Sequence, residues 1–221
     1  MRRVIGVVVL LLLGLVKAAA PPSWNKSDSK RAEEEWEMIS VEEVYVPECL
    51  ESELKRRCDN LLQKATPDLV LGGFEEIRNS LQSPALVSYL LSKGASPQAL
   101  SMKLPLHVVQ LAAIQGYVHS TALLINAIAR EERNRYFNQG IGLAGAPLLH
   151  YVAAACVEKG TSEVIEKEYI KIARLLIDAG ANIRAEDRQR RTVLDIAKLE
   201  PARELFIAFL QKAMHEDDVG D

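Results

Sequence analysis

From Pro47 onward, apolar residues recur at the spacing of one helix face. In "PECLESELKRRCDNLLQK" Leu50, Leu54, Cys58, Leu61 and Leu62 share a stripe, and Pro47 stands where a first helical residue tolerates a missing N–H. Thr66-Pro67 and Ser83-Pro84 each place a capping hydroxyl before a proline, which predicts two helix starts. "PALVSYLLSKG" closes on Lys93 and Gly94, a cation in the last turn and a residue free to adopt a left-handed cap. "PLHVVQLAAIQG", "YVHSTALLINAIAR" and "PLLHYVAAACVEKG" continue the series. "SEVIEKEYIKIARLLIDAG" carries Ile165, Tyr169, Ile172, Leu175, Leu176 and Ala179 at helical spacing and stops at Gly180. "TVLDIAKL" and "PARELFIAFLQKA" follow, then the acidic "HEDDVGD". No stretch of useful length alternates with the strand period, so the pattern predicts an all-α chain of short paired helices.

The first 46 residues do not join this pattern. Arg2 and Arg3 precede an apolar run from Val4 to Val16, and Val16-Lys17-Ala18 offers small residues for cleavage, which predicts a signal peptide over residues 1–18. The run is shorter than the roughly 20 residues of a membrane span, and an uncleaved anchor is the alternative. Residues 19–46 read as an acidic and polar leader, 47–66 as a capping helix, 67–213 as the main domain and 214–221 as an acidic disordered tail. Asn25-Lys26-Ser27 is a glycosylation sequon with no further context.

The net charge of −3 lacks the basic footprint expected of a nucleic-acid partner, and loss of Arg2, Arg3 and Lys17 would make the chain more acidic still. Aromatic residues make up only 5% of the chain, so the core must be built from small and branched side chains. Export would permit disulfides, which brings three cysteines into question. On a continuous helix, Cys49 and Cys58 stand about 13 Å apart. A disulfide spans at most about 7 Å between Cα atoms, so no 49–58 bridge is expected. Cys156, in "YVAAACV", reads as a small buried hydrophobe.

The helices also echo one another. "LLSKGAS" at 90–96 matches "LIDAGAN" at 176–182, and "LPLHVV" at 104–109 matches "PLLHYVA" at 147–153, with "TVLDIA" at 192–197 in the same place in the cycle. On these residues the chain resembles the ankyrin-repeat family. Gly180, Ala181, Asn182, Asp187, Thr192, Leu194 and Ala197 follow that family's pattern, whereas Arg190 replaces a turn glycine, Val193 a proline, Asp195 a histidine and Leu104 a threonine. His107, His150 and Asp195 are spaced by 43 and 45 residues, against a period of about 33, so "AREERNRYFNQGIGLAG" and "EKGTSEVIEKEY" must hold insertions. The resemblance spans about residues 70–213. It implies an ankyrin-type helix-loop-helix solenoid of about three or four irregular repeats with an N-terminal helical cap.

The same resemblance implies a protein-binding module or scaffold whose loop tips meet a partner. Arg184, Arg188, Gln189 and Arg191 of "RAEDRQRR" are then the candidate contacts, because arginine grips carboxylates with two parallel hydrogen bonds. Tyr136 and Phe137, in the charged "REERNRYF", need burial against either the stack or a partner. His107 and His150 are expected to hold a loop against a helix, since no Cys/His spacing suits zinc. "GIGLAG", Gly140 to Gly145, has the spacing of a dinucleotide loop but lacks the preceding strand that such a loop requires. The expectation is an exported binding protein with another protein as partner, no catalytic residue, no cofactor and no metal. A membrane-anchored scaffold, or an enzyme using the glycine loop, remains the alternative.

Overall fold

Thr66 and Ser83 start helices as their sequence context predicts. The Thr66 hydroxyl accepts from Leu69 N at 3.4 Å and the Ser83 hydroxyl from Leu86 N at 3.3 Å, each ahead of a proline in the first turn. These observations come from a computed structural model, which describes residues 52–72, 80–101, 106–141, 145–158, 163–199 and 204–219. The expected signal peptide, the leader, Asn25 and Cys49 lie outside these residues.

The contacts divide the chain into two compact units, meeting in sequence between Arg130 and Glu131, inside the stretch expected to be one repeat domain. The described part of the first unit contains α1 (Ser52–Leu62), α2 (Pro67–Leu71), a 3-10 turn (Ser80–Gln82), α3 (Pro84–Ser92), α4 (Val108–Gln115) and α5 (Val118–Ala127). The predicted stripe of α1 turns Cys58 and Leu61 inward, and Cys58 is a free thiol. The 3-10 turn packs on α2, α3 and α4, while α3 packs on α2 and α5. Ser80 Oγ donates to Leu71 O at 2.8 Å, closing the turn onto α2. Tyr89 Oη donates to the Asp59 carboxylate and so ties α3 to α1. Gly116, at φ +83°, reverses the chain between α4 and α5 in a backbone conformation that a side chain would disfavour.

The second unit contains α6 (Arg130–Asn138, nearly all of it beyond the boundary), α7 (Leu148–Glu158), α8 (Glu163–Asp178), α9 (Val193–Ala197) and α10 (Glu204–Val219). α8 packs between α7 and α10, and the five-residue α9 contacts both α7 and α10. Thr192 caps α9 reciprocally: its N–H donates to Asp195 Oδ2 at 2.8 Å, and its hydroxyl accepts from Asp195 N at 3.3 Å. Glu166, buried on α8, accepts from Phe206 N at 2.8 Å and so satisfies a donor in the first turn of α10.

This packing corrects the expected architecture. The all-α reading holds, but the ankyrin-type solenoid does not: each unit is a compact helical bundle with contacts between helices that are not neighbours in sequence. The physical sign is burial around whole helices. Residues 205–210 of α10 are all buried, and six consecutive positions cover the full circumference of a helix. The last repeat of an open stack must keep a polar outer face to stay soluble. Helix lengths are also unequal, with α9 at 5 residues against 16 for α8 and for α10, so the described helices of this unit do not follow a constant repeat. Short echoes such as "LLSKGAS" and "LIDAGAN" are shared helix-ending turns, with Gly94 at φ +89° and Gly180 at φ +102°. Residues 214–219, expected as a disordered tail, continue α10.

Candidate functional site

The loop joining α8 to α9 gathers a dense set of side-chain hydrogen bonds. Its start is set by backbone geometry. At Gly180 the chain leaves α8 in the left-handed region, and Ala181 N returns to Leu176 O at 2.8 Å. Asn138, at the end of α6, then holds the loop as one peptide group holds another. Its Oδ1 accepts from Asn182 N at 2.7 Å and its Nδ2 donates to Gly180 O at 3.0 Å. Asn182 Oδ1 accepts from Arg184 N at 2.8 Å, and Ile183 is buried beneath.

Asp187 organises the tip. Its Oδ1 accepts from Gln189 N at 2.8 Å and Arg191 N at 3.0 Å, and its Oδ2 accepts from Arg191 Nε at 2.9 Å. The backbone closes over the same residues, with Asp187 N to Arg191 O at 3.0 Å and Arg190 N to Asp187 O at 3.0 Å. Burial by itself would raise the Asp187 carboxyl. The two backbone N–H donors and the Arg191 guanidinium outweigh it and hold the group below the usual carboxylate range. Arg188, Gln189 and Arg190 are carried outward and exposed on this turn. Arg190 sits at φ +59°, and among the described residues it alone takes a positive φ without being glycine.

Two neighbouring segments brace the loop. His150 on α7 is buried, and its Nε2–H donates to Arg191 O at 2.8 Å, which fixes the tautomer and leaves Nδ1 buried with no hydrogen-bond partner. Desolvation lowers the His150 pKa, so the ring is neutral. The glycine loop supplies the second brace. Ile141 N donates to Ala146 O at 2.9 Å, closing it, and a Cβ on Gly145 would come within 2.7 Å of Arg188 Nε. Gly145 thus leaves room for the Arg188 side chain to lie against its backbone.

The structure separates the predicted contacts. Arg188 and Gln189 are exposed at the tip. Arg184 is exposed but engaged: Nη2 donates to Met214 O at 2.7 Å and Nε to Asp217 Oδ2 at 3.2 Å. Arg191 is half-buried and bound to Asp187, so it shapes the loop from within. Phe137 is fully buried and Tyr136 half-buried, which settles the aromatic question for Phe137 in favour of the protein's own core. The expected histidine role is visible twice, since His107 Nδ1–H donates to Gln98 O at 2.5 Å in the first unit. "GIGLAG" follows helix α6, so no strand delivers it.

Sequence reasoning noted Arg190 in place of a turn glycine without counting it among the contacts, and missed Asn138 and the bracing by Gly145. The step left untaken at Arg190 was from an arginine in a glycine's place to a positive φ and an exposed charge at the tip. Among the described residues no group of three His, Cys, Asp or Glu side chains could hold a metal ion, and no helix is long and apolar enough to cross a membrane. The scaffold built on repeat geometry falls with the solenoid, and neither it nor the membrane-anchored alternative finds support in the fold. No family model matches the chain, and no curated protein is similar to it.

Proposed function

We propose that the 131–221 unit binds an acidic segment of another protein through the turn bearing Arg188, Gln189 and Arg190, with Arg184 in the same loop. The activity is binding and not catalysis. One observation carries the reading: Arg190 holds a left-handed backbone that glycine would adopt without strain. Such a conformation costs a non-glycine residue about 1–3 kcal/mol and is characteristic of functional turns. Here the strained residue adds a second exposed guanidinium to a tip that Asp187, His150 and Gly145 already hold. Arginines on a pre-ordered turn lose little freedom on meeting carboxylates. The positive start and apolar run of the N-terminal segment support an exported setting for this binding.

Fluorescence anisotropy with a labelled, end-blocked hexaglutamate peptide tests the proposal. The unaltered chain should bind it at low salt and release it as salt rises. The double substitution Arg188→Glu with Arg190→Glu should abolish binding while the far-ultraviolet circular dichroism stays the same. Equal affinity of the charge-reversed and unaltered chains would overturn the proposal.

A further inference from the structure

Besides Arg191, which Asp187 holds, Arg184 also has an acidic ligand within the chain. Arg184 donates to both the Asp217 carboxylate and the Met214 carbonyl, three residues apart at the end of α10. The carbonyl is a helical one with a second lone pair left for an outside donor, and the carboxylate belongs to the acidic "HEDD" at that end. A guanidinium satisfies both at once, and its charge suits the negative end of the helix dipole.

We infer that the acidic end of α10 is an internal competitor for the arginine-bearing loop, and that an incoming acidic segment must displace Asp217 from Arg184 to bind in full. The inference rests on the binding reading above. Both side chains of the pair are about half exposed, 45% for Arg184 and 55% for Asp217, so the contact is screened by water and readily exchanged. A weak internal contact of this kind tunes affinity and does not block it. The partner it favours shares the chemistry of the α10 end: a carboxylate close to a backbone carbonyl that has a lone pair to offer.

The test compares the full chain with Asp217→Asn and Asp217→Glu, using the same labelled hexaglutamate. Asp217→Asn should bind roughly two- to fivefold more tightly, the range expected for release of one exposed ion pair, and Asp217→Glu should restore the original affinity. Saturating the unaltered chain with peptide should also speed hydrogen exchange of the amides of residues 214–218. Equal or weaker binding by Asp217→Asn, or exchange at 214–218 that peptide leaves unchanged, would overturn the inference while leaving the binding reading intact. No binding by any of the three chains would overturn both.

Discussion

Arg191 Nε and Nη2 both meet Asp187 Oδ2, at 2.9 and 2.8 Å, while the Arg191 backbone N–H takes the other carboxylate oxygen at 3.0 Å. One residue therefore satisfies both oxygens of a carboxylate whose side chain is fully shielded from water. Removing the carboxylate strands the Gln189 and Arg191 backbone donors, while the part-exposed Arg191 guanidinium can turn to water, at a cost of about 1–3 kcal/mol. Asp187→Ala should lower stability by about that much, measured as the urea midpoint at constant slope. A loss within the scatter of surface substitutions would mean that the turn does not depend on Asp187.

Two titrating groups contribute to the acid-side pH dependence of this unit, with the same sign in different windows. His150 is neutral when folded and has a lowered pKa, because burial disfavours its cation. The hydrogen bond to the Arg191 carbonyl and the charges of Asp187 and Asp195 pull toward protonation, and the Arg191 guanidinium pulls against it. The unfolded chain therefore takes up a proton first. Stability from His150 is complete above the ordinary histidine pKa near 6.5 and declines as pH falls below it. Asp187, with its pKa depressed, adds stability present above the ordinary value of 3.8 and lost as pH falls through the folded value. Urea titrations between pH 8 and pH 5 should show the first decline, and His150→Gln should flatten it. A slope that persists in His150→Gln would assign it elsewhere.

Gly180 tests the helix-ending turn. A Cβ there would meet nothing within 4 Å, so the cost of a side chain is in the backbone at φ +102°. Gly180→Val should destabilise by about 1–3 kcal/mol. Gly180→Asn, which tolerates the left-handed region better, should cost less. Thermal unfolding that ranks the two variants the other way would contradict this assignment.

Gly145 separates bracing from folding. Gly145→Ala places a methyl within 2.7 Å of Arg188 Nε and should push the guanidinium aside. It also strains the residue's own φ of +57°, adding a cost of about 1 kcal/mol. Binding of hexaglutamate should weaken beyond what the small loss of stability explains, and unchanged affinity would remove Gly145 from the site.

Local chemistry in the chain was legible wherever one segment decides its own conformation. The hydroxyl-proline starts at residues 66 and 83, the glycine turns at 94, 116 and 180 and the Thr192 cap involve atoms within a few residues of each other. The arginines at 188 and 191 were visible as charge, but their different roles were not. Only the position of Asp187 relative to the burying layer makes Arg191 a brace and Arg188 a tip. Phe137 was likewise ambiguous until the core claimed it.

The chain by itself determined that it is helical, where its helices begin and turn, and which residues carry exposed charge, because those are short-range consequences of hydrogen bonding and side-chain spacing. The tertiary structure alone decided between a row of repeats and two bundles. Similar helix-turn-helix pieces can bury the same apolar faces in either arrangement, and the choice depends on contacts between helices far apart in sequence, such as those that enclose residues 205–210 on every side.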